Sequence, residues 1–228
     1  MKHLVLWLLS LLPFCLFSQV EQDQLFADER YLEDQFYIGL TYNFLLNQPT
    51  DVDQRNLSYG LQAGFIKDIP LNQNRTLALG LGLGVGLNTY YSNILATETS
   101  NGIEYTVLNS DDDFRRSKLE THLIEMPLEF RWRNSTASEH RFWRVYSGIK
   151  LSYAFDARSK FISDPLKDSF SNNDVRDFQY GLTFSFGYNT FNIHAYYSLT
   201  GLFNDGVLIN GQDINMKPLQ IGLIFYIL

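Results

Sequence analysis

The sequence of 228 residues has a single cysteine, six prolines and few charged residues. One cysteine cannot pair within the chain, which excludes a disulfide scaffold. Beyond residue 18 no stretch approaches the roughly 20 consecutive apolar residues of a membrane-spanning helix, which excludes a helical multi-span protein. Charged residues make up 19% of the chain, and the net charge of −7 argues against nucleic acid as a partner.

Apolar and aromatic residues are abundant by comparison, at 45% and 15% of the chain. Such a composition can offset the entropy lost on folding, which excludes a disordered protein. The apolar residues are nevertheless dispersed along the chain. The order in which they occur therefore carries the information on the fold.

The N-terminus predicts export from the cytoplasm. Lys2 precedes an almost wholly apolar run, Leu4 to Phe17, and the small residue Ser18 follows it. This is the pattern of a secretory signal peptide, and we assign residues 1–18 to it. Cleavage there removes Cys15. Residues 19–34 form a periplasmic N-terminal segment that is acidic with a few apolar side chains. A disordered segment, a short helix that caps the periplasmic mouth and a partner-docking segment all remain open for it.

Eight segments alternate apolar and polar residues with period two, which predicts strands of about 9 to 15 residues. A strand tilted across an outer membrane needs about 9–11 residues, whereas strands of soluble sheets average about 5–6. The eight segments are 36–44, 57–65, 77–91, 124–132, 143–155, 178–188, 191–200 and 219–227.

Connections between the segments alternate between short and long, which is typical of outer-membrane barrels. Eleven of the 15 glycines fall within the segments, always on the polar face. Only side chains fit inside an eight-stranded barrel, so this glycine-rich face should line the lumen. We predict an all-β, eight-stranded antiparallel transmembrane β-barrel over residues 35–228. It should lie in the bacterial outer membrane with both termini in the periplasm.

Aromatic residues of the apolar face cluster near the strand ends, which predicts two interfacial girdles in contact with membrane lipid. The girdle at the short-turn end comprises Phe36, Phe65, Trp132, Trp143, Tyr188, Phe191 and Phe225. The girdle at the long-loop end comprises Phe44, Tyr59, Tyr91, Tyr153, Phe155, Phe178 and Tyr180.

Charged residues on the polar face predict a network of ion pairs in the lumen, because an unpaired buried charge costs several kcal/mol. Glu125, Glu129 and Arg131 lie on the fourth segment, and Arg144 and Lys150 lie on the fifth. A proton relay or a pair of acid/base carboxylates is the functional alternative. The two glutamates are about 13 Å apart along an extended strand, which is too far for a carboxylate pair.

Three further patterns suggest chemistry but favour a structural interpretation. His194 and Ser198 share the lumen face, as in an acyl hydrolase, yet they are about 13 Å apart along the strand. Gly80–Gly86 lies within a strand and lacks dinucleotide-loop spacing. Asp111–Asp113 could offer oxygen ligands to Ca²⁺, but consecutive residues do not converge on one ion. We therefore expect no catalytic residue, no cofactor and no metal site.

The run LETHLIEMPLEFRWR (119–133) resembles the PorT-like outer-membrane β-barrel family of Bacteroidota, as does the end of the leader, Phe17–Gln19. The resemblance implies a barrel without enzymatic activity. It also implies an accessory role, with other outer-membrane or periplasmic proteins, in type IX secretion or barrel assembly. The chain ends in Ile227-Leu228, whereas barrels of this kind usually end in an aromatic residue. A stand-alone structural or adhesion barrel and a lipid-modifying enzyme are the alternative functions.

A barrel should show heat-modifiable mobility, because a closed sheet resists detergent unfolding until it is boiled. We expect boiled and unboiled samples of the refolded protein to migrate differently on detergent gels. Identical mobility would contradict the barrel prediction.

Overall fold

The computed structural model describes residues 35–109, 111–134, 143–164, 166–188 and 191–227. The predicted leader, residues 1–18, and the acidic segment, residues 19–34, lie outside these ranges. In the described ranges we find no helix that is both long and apolar enough to span a membrane.

The described chain folds into antiparallel strands. In chain order these are β1 (Gln35–Leu46), β2 (Tyr59–Pro70), β3 (Leu77–Ser92), β4 (Ile94–Thr99), β5 (Gly102–Val107), β6 (Arg116–Arg133), β7 (Trp143–Ile162), β8 (Lys167–Ser171), β9 (Phe178–Tyr188), β10 (Phe191–Ser198), β11 (Leu208–Ile209), β12 (Gln212–Asp213) and β13 (Lys217–Ile227).

Eight strands form a closed wall in the order β6, β3, β2, β1, β13, β10, β9 and β7, with β7 pairing back to β6. The prediction of an eight-stranded antiparallel barrel is therefore confirmed. One circuit of the wall displaces the register by about ten residues, which tilts the strands and leaves an interior filled by side chains.

Three wall strands, β2, β6 and β7, extend well past the alternation of apolar residues that predicts them. The segment 57–65 corresponds to β2, which begins at Tyr59 and continues to Pro70, and the segment 124–132 corresponds to β6, which begins at Arg116. The added residues place polar side chains such as Lys67 and Lys118 on the outer face. These parts of the strands lie beyond the apolar band, so their outer faces need not be hydrophobic.

The two longest predicted loops are largely strand rather than irregular structure. Residues 93–117 contain the β4–β5 hairpin and the start of β6, and residues 156–177 contain the end of β7 and all of β8. Pairing continues past the apolar band because backbone groups there still gain from hydrogen bonding within the sheet.

Side chains from the long connections pack into a hydrophobic cap on one end of the barrel. We call this the long-loop end and the opposite end, where β2 turns into β3, the short-turn end. Leu45, Tyr90 and Leu119, from the upper ends of wall strands, pack in one cluster with connection residues. The connection residues of this cap are Val52, Ile94, Ala96, Tyr105, Val175, Leu202, Phe203, Ile209, Ile214 and Met216.

A buried tyrosine fastens two connections of the cap together. The Tyr105 hydroxyl lies 3.0 Å from Asn172 Oδ1 and 3.0 Å from Asp174 Oδ2. Burial raises the pKa of Tyr105 and the nearby charge of Asp174 raises it further, although the hydrogen bond to Asn172 opposes the shift. The hydroxyl therefore stays protonated at neutral pH and donates a hydrogen bond across the cap.

Inside the barrel, the glycines of β3 make room for large side chains from neighbouring strands. A Cβ atom at Gly82 would lie 2.7 Å from Ile66 Cγ1 and 2.8 Å from Pro127 Cγ. A Cβ atom at Gly86 would lie 2.8 Å from a carboxylate oxygen of Glu125. The lumen also holds a tyrosine-rich cluster that the polar pattern does not predict: Tyr37, Ile66, Tyr146, Ile224 and Tyr226.

We expect Gly82→Ala to lower the free energy of unfolding by about 1–3 kcal/mol, because the new methyl group overpacks the lumen against Ile66 and Pro127. Urea titration of the refolded barrel measures the change. Gly201→Ala is the matched control, since its Cβ meets only Asn215 Oδ1 at 3.1 Å and Phe203 O at 3.5 Å. Equal stability of the two variants would show that the lumen has spare room beside β3.

Candidate functional site

The lower charge cluster lies in the lumen near the short-turn end and is centred on Arg131. This fully buried guanidinium pairs with Asp68, and its Nη2 donates a hydrogen bond to Gln35 Oε1 at 2.7 Å. Its Nε lies 3.3 Å from Glu129 Oε2. Arg133 pairs with the other oxygen of Asp68 and donates from Nε to the Arg75 carbonyl at 3.0 Å. One carboxylate therefore holds two arginines.

Aromatic faces complete the surroundings of these arginines. The Arg131 guanidinium carbon lies 4.0 Å from the ring centre of Tyr146 and 5.2 Å from that of Tyr226. The Arg144 guanidinium carbon also lies 6.0 Å from the ring centre of Tyr226. Cation–π contacts of this kind stabilise a guanidinium that has been withdrawn from water.

The upper charge cluster lies closer to the cap and is centred on Lys150. Its Nζ is 2.8 Å from Glu125 Oε1 and donates to Gln62 Oε1 at 3.2 Å. It also lies 4.4 Å from the ring centre of Tyr196. The remaining space among Glu125, Lys150 and Tyr196 is too small to admit a water molecule.

All five charged residues singled out from the sequence are buried in the lumen. The structure divides them between the two clusters, with Glu125 and Lys150 above and Glu129 and Arg131 below. Arg144 joins the lower cluster through the Tyr226 ring.

Sequence reasoning missed partners of the lower cluster, Asp68, Arg133 and Gln35, together with Gln62 of the upper one. Asp68 and Arg133 lie just past the predicted ends of their segments, so continuing the inward alternation beyond the apolar residues would have found them. Gln62 falls on the lumen face of the alternation, but it is uncharged, so a search for ion pairs does not select it.

His194 is paired with Ser185, and the expected candidate Ser198 is bonded elsewhere. His194 Nδ1 lies 2.8 Å from Ser185 Oγ, whereas Ser198 donates to the Thr200 carbonyl at 3.0 Å. The register of β9 and β10 places Ser185 and His194 directly opposite each other. Pairing the two predicted segments 178–188 and 191–200 as neighbouring antiparallel strands would have identified the pair.

The Ser185–His194 pair lacks the surroundings of a catalytic site. A serine nucleophile needs an oriented base and access to its substrate. Both side chains are 2% exposed, and His194 Nε2 has no hydrogen-bond partner among the described residues. No carboxylate is placed against this histidine in the described structure. The pair is best understood as polar packing inside the wall.

The aromatic residues assigned to the girdles lie on the outer surface of the wall. All are exposed except Tyr59, Tyr91 and Phe225, which are half-buried. At the short-turn end, ring centres of neighbouring strands lie 5.2 Å apart for Phe36 and Phe65 and 5.1 Å apart for Trp143 and Tyr188. Their role as interfacial belts in a bilayer remains a prediction.

The other sequence candidates gain no site from the structure. The segment Gly80–Gly86 lies within β3, and its four glycines face the lumen. Asp111, Asp112 and Asp113 are exposed, and Asp112 Oδ2 accepts a hydrogen bond from the Asn109 backbone at 2.7 Å. Across the described ranges, no cluster of three or more metal-ligating side chains is present.

A family model described as an outer membrane protein beta-barrel domain matches residues 17–204. The chain belongs to this family. Membership agrees with the closed antiparallel wall and its apolar outer face, and the protein is accordingly an outer-membrane barrel. No curated protein matches the sequence.

Solved structures similar to this barrel include mutants of a Rhodopseudomonas blastica porin, at 7–8% identity and a TM-score of 0.22. A structure titled "Asymmetric conductivity of engineered proteins" is similar at 8% identity and the same score. Each covers 86% of this chain and 100% of its own.

We expect Glu125→Gln or Lys150→Met to lower the free energy of unfolding by about 3–5 kcal/mol, because each leaves the other charge buried without its partner. The double variant should lose much less than the sum of the two. Urea unfolding of the four proteins completes the cycle. Additive losses would mean that the two residues contribute independently.

Proposed function

We propose that this protein is a PorT-like, non-enzymatic and non-conducting barrel that serves as an accessory subunit of an outer-membrane secretion or assembly complex. In this proposal both termini lie in the periplasm and the cap faces the cell exterior. Short turns on the periplasmic side and longer connections outside are the usual arrangement of such barrels, which supports this orientation.

The observation that carries the proposal is the filled lumen. Two charge clusters and a tyrosine-rich cluster occupy the interior, and the cap covers the long-loop end. Conducting porins have about 16 strands, twice the number here. A barrel that has no open channel, and whose Ser–His pair is buried, acts through its surfaces, as an accessory subunit does.

A stand-alone structural or adhesion barrel is the second candidate, and the cap is the observation that favours it. The connections there are ordered by strands, and they present apolar side chains outward at Leu166, 59% exposed, and Leu208, 51% exposed. Such a surface suits contact with another molecule outside the cell as well as with a neighbouring subunit.

Native purification from outer membranes separates the two candidates. An accessory subunit should be recovered with defined outer-membrane or periplasmic proteins at a constant ratio, and deleting its gene should reduce secretion or barrel assembly. Recovery without a stable partner, in cells that secrete and assemble normally, would reject the subunit role. A lipid-modifying enzyme is tested separately by Ser185→Ala and His194→Ala, which should leave the membrane lipid profile unchanged.

We expect the refolded protein to produce no steady channel openings in planar bilayers bathed in concentrated KCl. The paired charges and buried rings occupy the lumen through which ions would have to pass. A conducting porin reconstituted in the same way is the positive control. Stable openings that scale with salt concentration would contradict the filled lumen.

A further inference from the structure

The outer surface of β6 and β7 is reorganised by a β-bulge. The register shifts between His122 and Leu123, where Phe155 is the extra residue in β7. An extra residue reverses the alternation of side chains beyond it, so residues expected to face inward turn outward. The β7 residues that turn outward in this way are Asp156, Arg158 and Lys160.

These residues join others on β6 and β8 in a basic patch at the long-loop end. The register places Glu120 beside Arg158 and Lys118 beside Lys160, and Arg116 lies two register pairs beyond Lys118, on the same outward face. On the outward face of these strands, five basic side chains are accompanied by two acidic ones, so this face carries net positive charge. The exposed Asp111, Asp112, Asp113 and Asp164 lie on the connections beyond it, and Asp168 has the opposite parity on β8. The basic patch comprises Arg116, Lys118, Arg158, Lys160 and Lys167, with Glu120 and Asp156.

The two carboxylates hold the basic groups in place without neutralising them all. Glu120 pairs with both Lys118 and Lys160, and the latter contact is 2.5 Å. Burial favours a higher pKa for Glu120, but hydrogen bonds and charges from both lysines outweigh it and lower the pKa. Asp156 bonds Arg158 Nε at 3.1 Å and His122 Nδ1 at 3.0 Å. Both carboxylates are ionised at neutral pH, and the excess positive charge persists.

Immediately below the basic patch, the same two strands become apolar. Ile124 is 46% exposed, Tyr153 is 51% exposed and Phe155 is 57% exposed on the outer face. The ring of His122 stacks on Phe155, with centres 6.1 Å apart, and marks the boundary between the two regions. One surface therefore offers positive charge above and a hydrocarbon-compatible wall below.

We propose that the basic patch binds the phosphate groups of an anionic lipid in the leaflet at the long-loop end, with its acyl chains along the apolar wall of β6 and β7. Charge complementarity selects a phosphorylated headgroup, since basic residues next to a membrane attract anionic lipids. The basic patch is continuous with the lipid-facing wall, which favours a lipid as the ligand. A soluble acidic protein could contact the basic patch but would not cover the apolar wall below it. This site is independent of the proposed accessory role, but it rests on the proposed orientation, in which the cap faces the cell exterior.

Native mass spectrometry of the full mature protein in zwitterionic detergent tests the site, with bis-phosphorylated lipid A as the probe. We expect the triple variant Arg116→Gln, Arg158→Gln, Lys160→Gln to retain about tenfold less lipid than the unaltered protein. Rising salt should also release the lipid, because the contacts are exposed. The heat-modifiable band on gels verifies that each variant is folded.

Two matched comparisons make the result decisive. Lys67→Gln removes an exposed, outward-facing charge from the short-turn end of β2 and should leave retention unchanged, whereas Arg158→Gln alone should lower it several-fold. Dephosphorylated lipid A should be retained as weakly by the unaltered protein as lipid A is by the triple variant. Equal retention by the triple variant, equal loss with Lys67→Gln, or equal binding of the dephosphorylated lipid would each overturn the proposal.

Discussion

Closure of eight tilted strands is the constraint on which the rest of this structure depends. A wall of that size leaves an interior only wide enough for side chains, while its outer face must be apolar to lie in lipid. The glycines of β3 and the paired charges of the lumen both follow from this. The glycines of β3 leave room for the side chains of Ile66, Pro127 and Glu125 in the lumen. The buried charges lie against an opposite charge, as Lys150 does, or against an aromatic ring, as Arg131 does.

The lumen is packed in layers along the barrel. Arg131 and Asp68 dominate near the short turns, and Lys150 and Glu125 lie nearer the long connections. The hydrophobic cap then covers the end. Buried ion pairs are weak evidence for stability when compared with apolar packing, but removing one partner is costly. The residues that fill this interior come from strands far apart in the chain, so they meet only in the register that the wall adopts.

The outer wall is not uniform either. A single extra residue, Phe155, reverses the alternation of side chains in the upper part of β7. Basic residues of β7 therefore face outward where the apolar band ends. The lipid-facing wall and the basic patch together form a surface that is matched to an amphiphile.

Much of the fold was predictable from the sequence, because the period-two alternation is a local property of each strand. It determined the eight wall strands, the face that lines the lumen and the burial of Glu125, Glu129, Arg131, Arg144 and Lys150. Tertiary structure alone decided the partners, since register joins residues far apart in the chain: Asp68 with Arg131, and Gln62 with Lys150. It also decided the bulge at Phe155 and the order within the long connections. There the apolar side chains are buried by packing between segments, and packing of that kind leaves no periodic pattern in the sequence.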